Sequence, residues 1–255
     1  MKYTESKLEQ AFIHLLKTER YTYVSGQNIQ RRNNQEVLIK EDLRKFLLNR
    51  YPDLEDLELE TIINELAFQS ASNLYESNKY ICKLLADGLI FKRNDPSKKD
   101  LHIRYLDIDP ETLAKNNSFK IVNQLEIQGK ELRIPDLIVY INGIPVVVFE
   151  FKTTIEEDIS IHNAFKQLTK RYRRDIPELM KYNAFCVISD GVNNKAGTVF
   201  SSYQFFYGWN KITGDEKKAL TGIDTTTSIV HGMMNQERLC DIIHHFILFP
   251  DTSKH

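Results

Sequence analysis

Two acidic residues and a lysine at one end of a predicted hairpin are the residues of this sequence best suited to chemistry. Two apolar runs flank Asn142-Gly143, which is the strongest short signal for a β-hairpin. The first run follows Asp136, and the second ends in Glu150, a phenylalanine and Lys152. Because side chains alternate across a strand, Glu150 and Lys152 share one face. Three charged groups can therefore converge at one end of the hairpin.

The register of the hairpin decides whether the two carboxylates meet. A plain two-residue turn at the Asn-Gly pair would place Asp136 and Glu150 on opposite faces. A three-residue loop with the glycine in the left-handed region, or an equivalent bulge, would pair Ile141 with Pro145 and bring Asp136 opposite Glu150. We predict this second register. A structure with Asp136 and Glu150 on opposite faces of the sheet would rule out a shared site.

Two neighbouring carboxylates repel each other. A site that holds them together therefore requires a divalent cation or a shared proton. Mg²⁺ or Mn²⁺ suits the pair because such ions take one or two carboxylates and complete their shell with water and phosphate. The ion would polarise a scissile phosphate and lower the pKa of a bound water. Lys152 can orient that water or neutralise charge in the transition state. The three residues predict metal-assisted phosphodiester hydrolysis.

The alternative interpretation of these residues is a solvated ion pair, worth less than about 1 kcal/mol. Against it, Glu150 lies in a continuous apolar run, which is expected to be a buried strand. An unpaired carboxylate is costly there, so the sequence favours a site.

A basic segment after the hairpin is the second candidate. Residues 164–183 contain six lysines or arginines and two acidic residues. On a helix, Gln167 and Arg171 are i,i+4 neighbours and Arg174 lies a further turn along, so one face can present an amide and guanidinium groups to phosphates. Such contacts position nucleic acid without reading its sequence. A solvated helix face is the alternative.

Hydrophobic spacing predicts the elements that position these residues. Residues 6–17, 43–47, 62–67 and 237–249 have helical spacing, so the first hundred residues are expected to be mostly helical. Residues 160–183 are expected to be helical between strands, and 211–228 to form a loop. The fold class is α/β, with a mixed central β-sheet flanked by helices and a helical N-terminal elaboration. Runs of β-branched and aromatic residues predict the strands of one sheet at 102–107, 119–127, 137–141, 145–151, 185–189 and 198–207, with a further strand near 21–26.

Composition narrows the class of protein. Of 255 residues, 42% are hydrophobic and 27% are charged, which is a globular rather than a disordered profile. The net charge of −1 means that any argument from charge must be local. Three widely spaced cysteines do not suggest a disulfide framework, and no glycine-rich phosphate loop is present. Without a signal peptide or a membrane-length apolar stretch, the expected location is cytoplasmic.

The motifs and their order resemble the N-terminal nuclease region of the restriction (R) subunit of type I restriction-modification enzymes, within the PD-(D/E)xK nuclease superfamily. The resemblance extends over nearly the whole chain, and it implies a restriction-endonuclease-like core. It rests on Pro135-Asp136, Glu150-Phe-Lys152, the segment from Gln167 through Tyr172 to Pro177, Ser189-Asp190-Gly191, and the segment from Leu239 to Pro250.

The resemblance implies that Asp136, Glu150 and Lys152 are catalytic. It further implies that Asp136, Glu150 and the carbonyl of Phe151 bind Mg²⁺, for which Mn²⁺ can substitute. In many superfamily members a glutamate on the first helix approaches the metal, a part that Glu9 or alternatively Glu5 would take here.

By the same resemblance, Gln167 and Tyr172 match a glutamine–tyrosine motif that supports DNA handling near the cleavage site. That motif usually has three intervening residues, whereas four intervene here and Arg171 holds the expected tyrosine position. The DNA-binding set predicted from the sequence is therefore Gln167, Arg171, Tyr172 and Arg174.

The resemblance also implies a larger assembly. Residues 1–255 would form a single endonuclease domain, with a helical part at 1–100, the nuclease core at 101–210 and a C-terminal loop and helix at 211–255. ATP-dependent translocase domains would follow and would bind the ATP. The expected partners are double-stranded DNA and the modification and specificity subunits, to which S-adenosylmethionine and site recognition belong. A non-cleaving nuclease-fold module that binds DNA or subunits, and a nuclease acting alone in repair or recombination, are the alternatives.

Overall fold

The structure is a computed structural model that describes residues 4–152, 157–213 and 224–250. Its central feature is a six-stranded mixed sheet in the order β1-β4-β7-β8-β9-β10, in which β1 with β4 and β8 with β9 are parallel. Two small sheets pair β2 with β3 and β5 with β6. The strands are β1 Thr22–Ser25, β2 Leu89–Phe91, β3 Leu101–Ile103, β4 Phe119–Asn123, β5 Ile127–Gln128, β6 Leu132–Arg133, β7 Leu137–Ile141, β8 Ile144–Phe151, β9 Phe185–Ser189 and β10 Asn194–Gly197.

Helices surround the sheet, which confirms the predicted α/β class. The described part of the first hundred residues is mostly helical, as predicted, and the helix expected at 160–183 is present but broken into pieces. A π-helical segment, Gln167–Tyr172, lies inside it. The helices are α1 Glu5–Thr18, α2 Lys40–Arg50, α3 Asp56–Ala67, α4 Leu74–Asp87, α5 Leu113–Asn116, α6 Glu157–Lys166, α7 Arg173–Asp175, α8 Pro177–Met180, α9 Asp224–Thr227 and α10 Gln236–His245.

Helix α1 packs its apolar stripe against β8. The hydroxyl of Thr4 accepts a hydrogen bond from the Lys7 amide and caps the helix, as Ser/Thr caps do. The ring of Phe12 lies 5.6 Å from that of Phe149 and 4.8 Å from that of Phe151. Because those two rings occupy one face of β8, its other face is left to Glu150.

The turn of the β7–β8 hairpin is tighter than predicted. Ile141 pairs with Ile144 across a two-residue turn. Asn142 and Gly143 have φ angles of 52° and 78°, which is the left-handed backbone that Asn-Gly hairpin turns require. The predicted pairing of Ile141 with Pro145 is therefore wrong.

A bulge in the hairpin nevertheless restores the predicted register at the functional end. The register shifts between Val139 and the residue after it, so that Leu137 pairs with Phe149. The physical reason is the proline in β8, which has no amide hydrogen for the ladder and is accommodated at bulges. Continuing the shifted pairing by one residue brings Asp136 opposite Glu150, as predicted.

Two predicted strands and one predicted loop need correction. The described residues 198–207 form no extended strand, because β10 ends at Gly197 and a 3₁₀ turn, Tyr203–Phe205, follows. Their aromatic side chains are only partly core: Phe206 is buried, whereas Phe205 is 53% exposed. The predicted strand 102–107 is short and pairs with β2 outside the central sheet. Of the predicted loop 211–228, residues 214–223 lie outside the described residues, and the chain is helical from Asp224.

All three cysteines are buried free thiols, on α4, β9 and α10. Among the residues described, no helix has both the length and the apolar character needed to span a bilayer.

Candidate active site

Asp136, Glu150 and Lys152 converge where β7 begins and β8 ends, so the structure brings together the three residues chosen from the sequence. Lys152 Nζ lies 2.7 Å from Glu150 Oε1 and donates to the Phe151 carbonyl at 2.9 Å. The Phe151 amide donates to Asp136 Oδ2 at 2.7 Å. The ammonium thus lies against two of the oxygens predicted to bind a metal, which identifies this point as a position for positive charge.

Burial makes both carboxyl groups reluctant to ionise. Glu150 has no exposed surface. Burial first, and the charge of Asp136 second, raise its pKa to about 8. Burial likewise raises the pKa of Asp136 to about 6, against the opposing hydrogen bond from the Phe151 amide. A group of this kind takes up a cation readily, because the cation removes the cost of the charged form.

The pKa of Lys152 is also raised, which in a lysine favours the charged form. Burial acts to lower the pKa of Lys152, but Glu150, Asp136 and Glu5 together outweigh burial and hold that pKa above its ordinary value. The ammonium is also 3.8 Å from an oxygen of Glu5. Lys152 is therefore a cation under physiological conditions, able to stabilise negative charge at the site.

Tyr172 reaches the site in spite of the extra residue before it. Its hydroxyl donates to Glu150 Oε2 at 2.9 Å and accepts a hydrogen bond from Gln167 Nε2 at 3.0 Å. The reason is the π-helical conformation of Gln167–Tyr172. The i→i+5 spacing of a π-helix accommodates one more residue per turn than an α-helix, so Gln167 and Tyr172 still face the same way.

The burial of Tyr172 changes what it can do. Only 1% of the residue is exposed. Tyr172 therefore contacts Glu150 from the protein interior and is not positioned to touch DNA directly. Burial, followed by the charge of Glu150, raises the pKa of the hydroxyl well above its ordinary value. Tyr172 therefore remains protonated and holds one oxygen of Glu150 while Lys152 holds the other.

The two arginines of the predicted DNA-binding set lie elsewhere on the same helical segment. Arg171 is exposed. Arg174 forms an ion pair with the buried Asp175 at 2.6 Å, and Arg133 pairs with the same carboxylate. Hydrogen bonds from Arg174 and Arg133 lower the pKa of Asp175 to about 2, so this cluster is ionised throughout the physiological range.

Glu9 lies beside the site, in a polar pocket that the sequence reasoning missed. It is buried and accepts hydrogen bonds from Asn123 Nδ2 at 2.6 Å and Gln124 Nε2 at 2.7 Å. Asn123 is the last residue of β4 and Gln124 follows it, and β4 pairs with β7, the strand that Asp136 precedes. Their signal in the sequence is a pair of polar residues where a buried strand ends.

Glu9 and Glu5 are near enough to raise the pKa of Asp136. Within the described residues, no three His, Cys, Asp or Glu side chains form a group that could hold an ion. The oxygens that meet at the end of the hairpin are those of Asp136, Glu150 and the Phe151 carbonyl, and the predicted role of Glu9 at a metal stays a prediction.

A mixed sheet flanked by helices, with this hairpin at its centre, defines an α/β protein with a nuclease-like core. The family model described as "Type I restriction enzyme R protein N terminus" matches residues 2–205. The chain belongs to this family.

Curated relatives carry the same kind of name. The type I restriction enzyme HindI endonuclease subunit of Haemophilus influenzae is 32% identical over 85% of this chain and 21% of its own length. The putative MjaIXP endonuclease subunit of Methanocaldococcus jannaschii is 27% identical over 94% of this chain and 25% of its own. The SauCOLORF180P subunit of Staphylococcus aureus is 25% identical over 88% and 22%. The chain thus spans about a fifth to a quarter of the length of these relatives.

Proposed function

We propose that this chain is the Mg²⁺-dependent endonuclease part of a type I restriction enzyme R subunit, with a PD-(D/E)xK site that hydrolyses phosphodiester bonds of double-stranded DNA. The observation that carries the proposal is the position of the Lys152 ammonium, 2.7 Å from Glu150 Oε1 and 2.9 Å from the Phe151 carbonyl. The oxygens near this ammonium form a donor set suited to Mg²⁺. They belong to a buried carboxyl with a raised pKa, a second carboxyl beside it and a backbone carbonyl.

Each residue has a role in this proposal. Asp136, Glu150 and the Phe151 carbonyl would hold the ion, for which Mn²⁺ would substitute. The ion would supply polarisation of the scissile phosphate and a lowered pKa for water. Lys152 would orient the attacking water and neutralise charge that develops on the phosphate. Tyr172 and its partner Gln167 keep Glu150 in place.

The larger assembly is part of the same proposal. The relatives' names describe endonuclease subunits of type I restriction enzymes, and they are about four to five times longer than the matched region. We infer that the modification and specificity subunits are partners, that ATP is used by translocase domains outside this chain, and that the enzyme works in the cytoplasm.

Plasmid nicking with substituted lysine tests the proposal. Lys152→Met removes the ammonium that competes for Glu150, so we expect Mn²⁺ to bind at least as tightly as to the unchanged chain while nicking of supercoiled DNA is lost. Lys45→Met, on the exposed face of α2, is the matched control and should nick like the unchanged chain. Nicking that persists in Lys152→Met would contradict the assigned role.

A second candidate function has one observation in its favour. Lys152 already compensates Glu150 in the structure, which is also what a non-cleaving module that binds DNA or subunits would need. In that case the carboxylates bind no divalent ion, with or without DNA, and Lys152→Met weakens folding without revealing a metal site.

A further inference from the structure

An open cleft of about 1170 Å³ lies beside the helical segment that carries Gln167 and Tyr172. One wall is the end of α3 with the turn that follows it, residues 67–74. The other wall is formed by residues 169–181. One carboxylate, Glu178, and five cationic side chains line the cleft. The cationic residues are Lys130, Lys170, Arg173, Arg174 and Lys181.

The charge of the cleft contrasts with that of the whole chain, whose net charge is only −1. Lys130 and Lys170 are exposed, and within the described parts of the chain neither has a carboxylate at ion-pair distance. The guanidinium of Arg173 lies 4.8 Å from the ring centroid of Phe200, which orients it without neutralising it. Arg174 is paired with Asp175 and Lys181 with Glu178, so the uncompensated positive charge of the cleft is that of Lys130, Lys170 and Arg173.

The walls of the cleft are fixed to each other by a buried lysine. Lys181 is 1% exposed, and its ammonium donates to the Ala67 carbonyl at 3.0 Å and the Gln69 carbonyl at 2.8 Å. The hydroxyl of Tyr182 donates to the Leu66 carbonyl at 3.1 Å, alongside this contact. The cationic wall thus stands at a set distance from the α3 wall before any partner arrives.

The geometry points to this cleft as a track for the phosphodiester backbone of DNA, next to the cleavage site. The α3 wall adds Ser70 and Ser72, whose hydroxyls are hydrogen-bonded to each other at 2.8 Å, and hydroxyl groups contact phosphates together with Lys and Arg. Lysine is depleted in the cores of protein–protein interfaces, so the lining fits a nucleic acid better than an acidic protein.

The position of the cleft fits the proposed function, on which this inference rests. One helical segment carries both Tyr172, which is hydrogen-bonded to Glu150, and Lys170, which lines the cleft. A helix with its side chains is about 10–12 Å across, and duplex DNA advances about 3.4 Å per nucleotide of one strand. A backbone in the cleft would lie a few nucleotides from the bond at the carboxylates.

Binding of labelled DNA measured by fluorescence anisotropy in EDTA tests the inference without requiring catalysis. The variant combines Lys130→Ala, Lys170→Ala and Arg173→Ala, all of which change exposed side chains. We expect more than tenfold weaker binding of a duplex. We also expect a slope of log K against log salt that is shallower by about 0.9 per lost phosphate contact. For a single strand of the same sequence the slope should change by about 0.7 per lost contact. Comparing the two affinities shows whether the cleft prefers duplex or single-stranded DNA.

A matched control removes three exposed lysines outside the cleft, Lys45→Ala, Lys83→Ala and Lys99→Ala, and should bind DNA with the slope of the unchanged chain. Equal binding by the cleft variant and this control, or no DNA binding by the unchanged chain at low salt, would overturn the inference. So would a cleft variant that loses binding to poly-glutamate but keeps binding to DNA. Cleft-dependent DNA binding without any metal-dependent nicking would contradict only the proposed function.

Discussion

The sharpest energetic consequence of the site is that Glu150 destabilises the metal-free protein. Its pKa is about 8 against an ordinary value of 4.5. Between these two values the folded chain holds a proton that the unfolded chain releases, so folding stability falls as the pH rises through that range. One pKa unit corresponds to about 1.4 kcal/mol. The cost of Glu150 is thus less than about 1 kcal/mol near pH 5 and about 3 kcal/mol near pH 7.

Glu150→Gln removes this cost while keeping the size of the side chain. The variant loses a hydrogen bond to Lys152 or Tyr172, which lowers its free energy of unfolding by about 1 kcal/mol at any pH. The difference in unfolding free energy between the variant and the unchanged chain should therefore grow in favour of the variant, by about 2 to 3 kcal/mol, as the pH goes from about 5 to about 7.

Urea unfolding in EDTA, followed by circular dichroism at several pH values, measures this difference. Glu41→Gln, which removes an exposed carboxylate on α2, is the control against which the change with pH is measured. A difference for Glu150→Gln that changes with pH no more than that of the control would refute the reasoning, because it would mean that Glu150 ionises as easily in the folded chain as in the unfolded one.

Three further predictions follow from the same contacts. Tyr172→Phe removes one hydrogen bond to Glu150 and should lower nicking about tenfold, the equivalent of about 1.4 kcal/mol, with unchanged helix content by circular dichroism. Mn²⁺ affinity should rise between about pH 6 and pH 8, because Asp136 and Glu150 must lose protons to bind the ion. Calorimetry in buffers of different ionisation enthalpy would detect the released protons, and a pH-independent affinity would contradict the site. Gly143→Ala should destabilise the chain by more than about 2 kcal/mol in urea unfolding. The reasons are a φ of +78° and a Cβ 2.1 Å from the Ile39 carbonyl oxygen; loss of less than half of this would show that the turn can relax.

The hairpin and its charged end were predictable because they depend on local signals. Asn142-Gly143 specifies the turn, and period two places Lys152, the residue that follows β8, on the same side as Glu150. The position of the bulge was not predictable in the same way. It depends on how β7 and β8 accommodate Pro145 within a sheet that is paired on both sides, and such packing is a tertiary property.

Contacts between distant segments explain the other differences. Asn123 and Gln124 meet Glu9 only because α1 packs across the face of the sheet against β1 and β8, and β4 lies between those two strands. Tyr172 reaches Glu150 because the helix adopts a π conformation, whereas regular helical geometry would turn it away. Lys130 joins the basic cleft from a loop far along the chain from Arg173. The pattern of side chains within one element does not specify these encounters.

Titration of the chain with Mn²⁺ by calorimetry, with and without a short DNA duplex, tests the central claim most directly. The claim predicts binding to the unchanged chain that disappears in both Asp136→Ala and Glu150→Ala and survives in Glu41→Ala. Absence of binding even with the duplex present, or binding that persists in both hairpin variants, would contradict a metal centre at this hairpin.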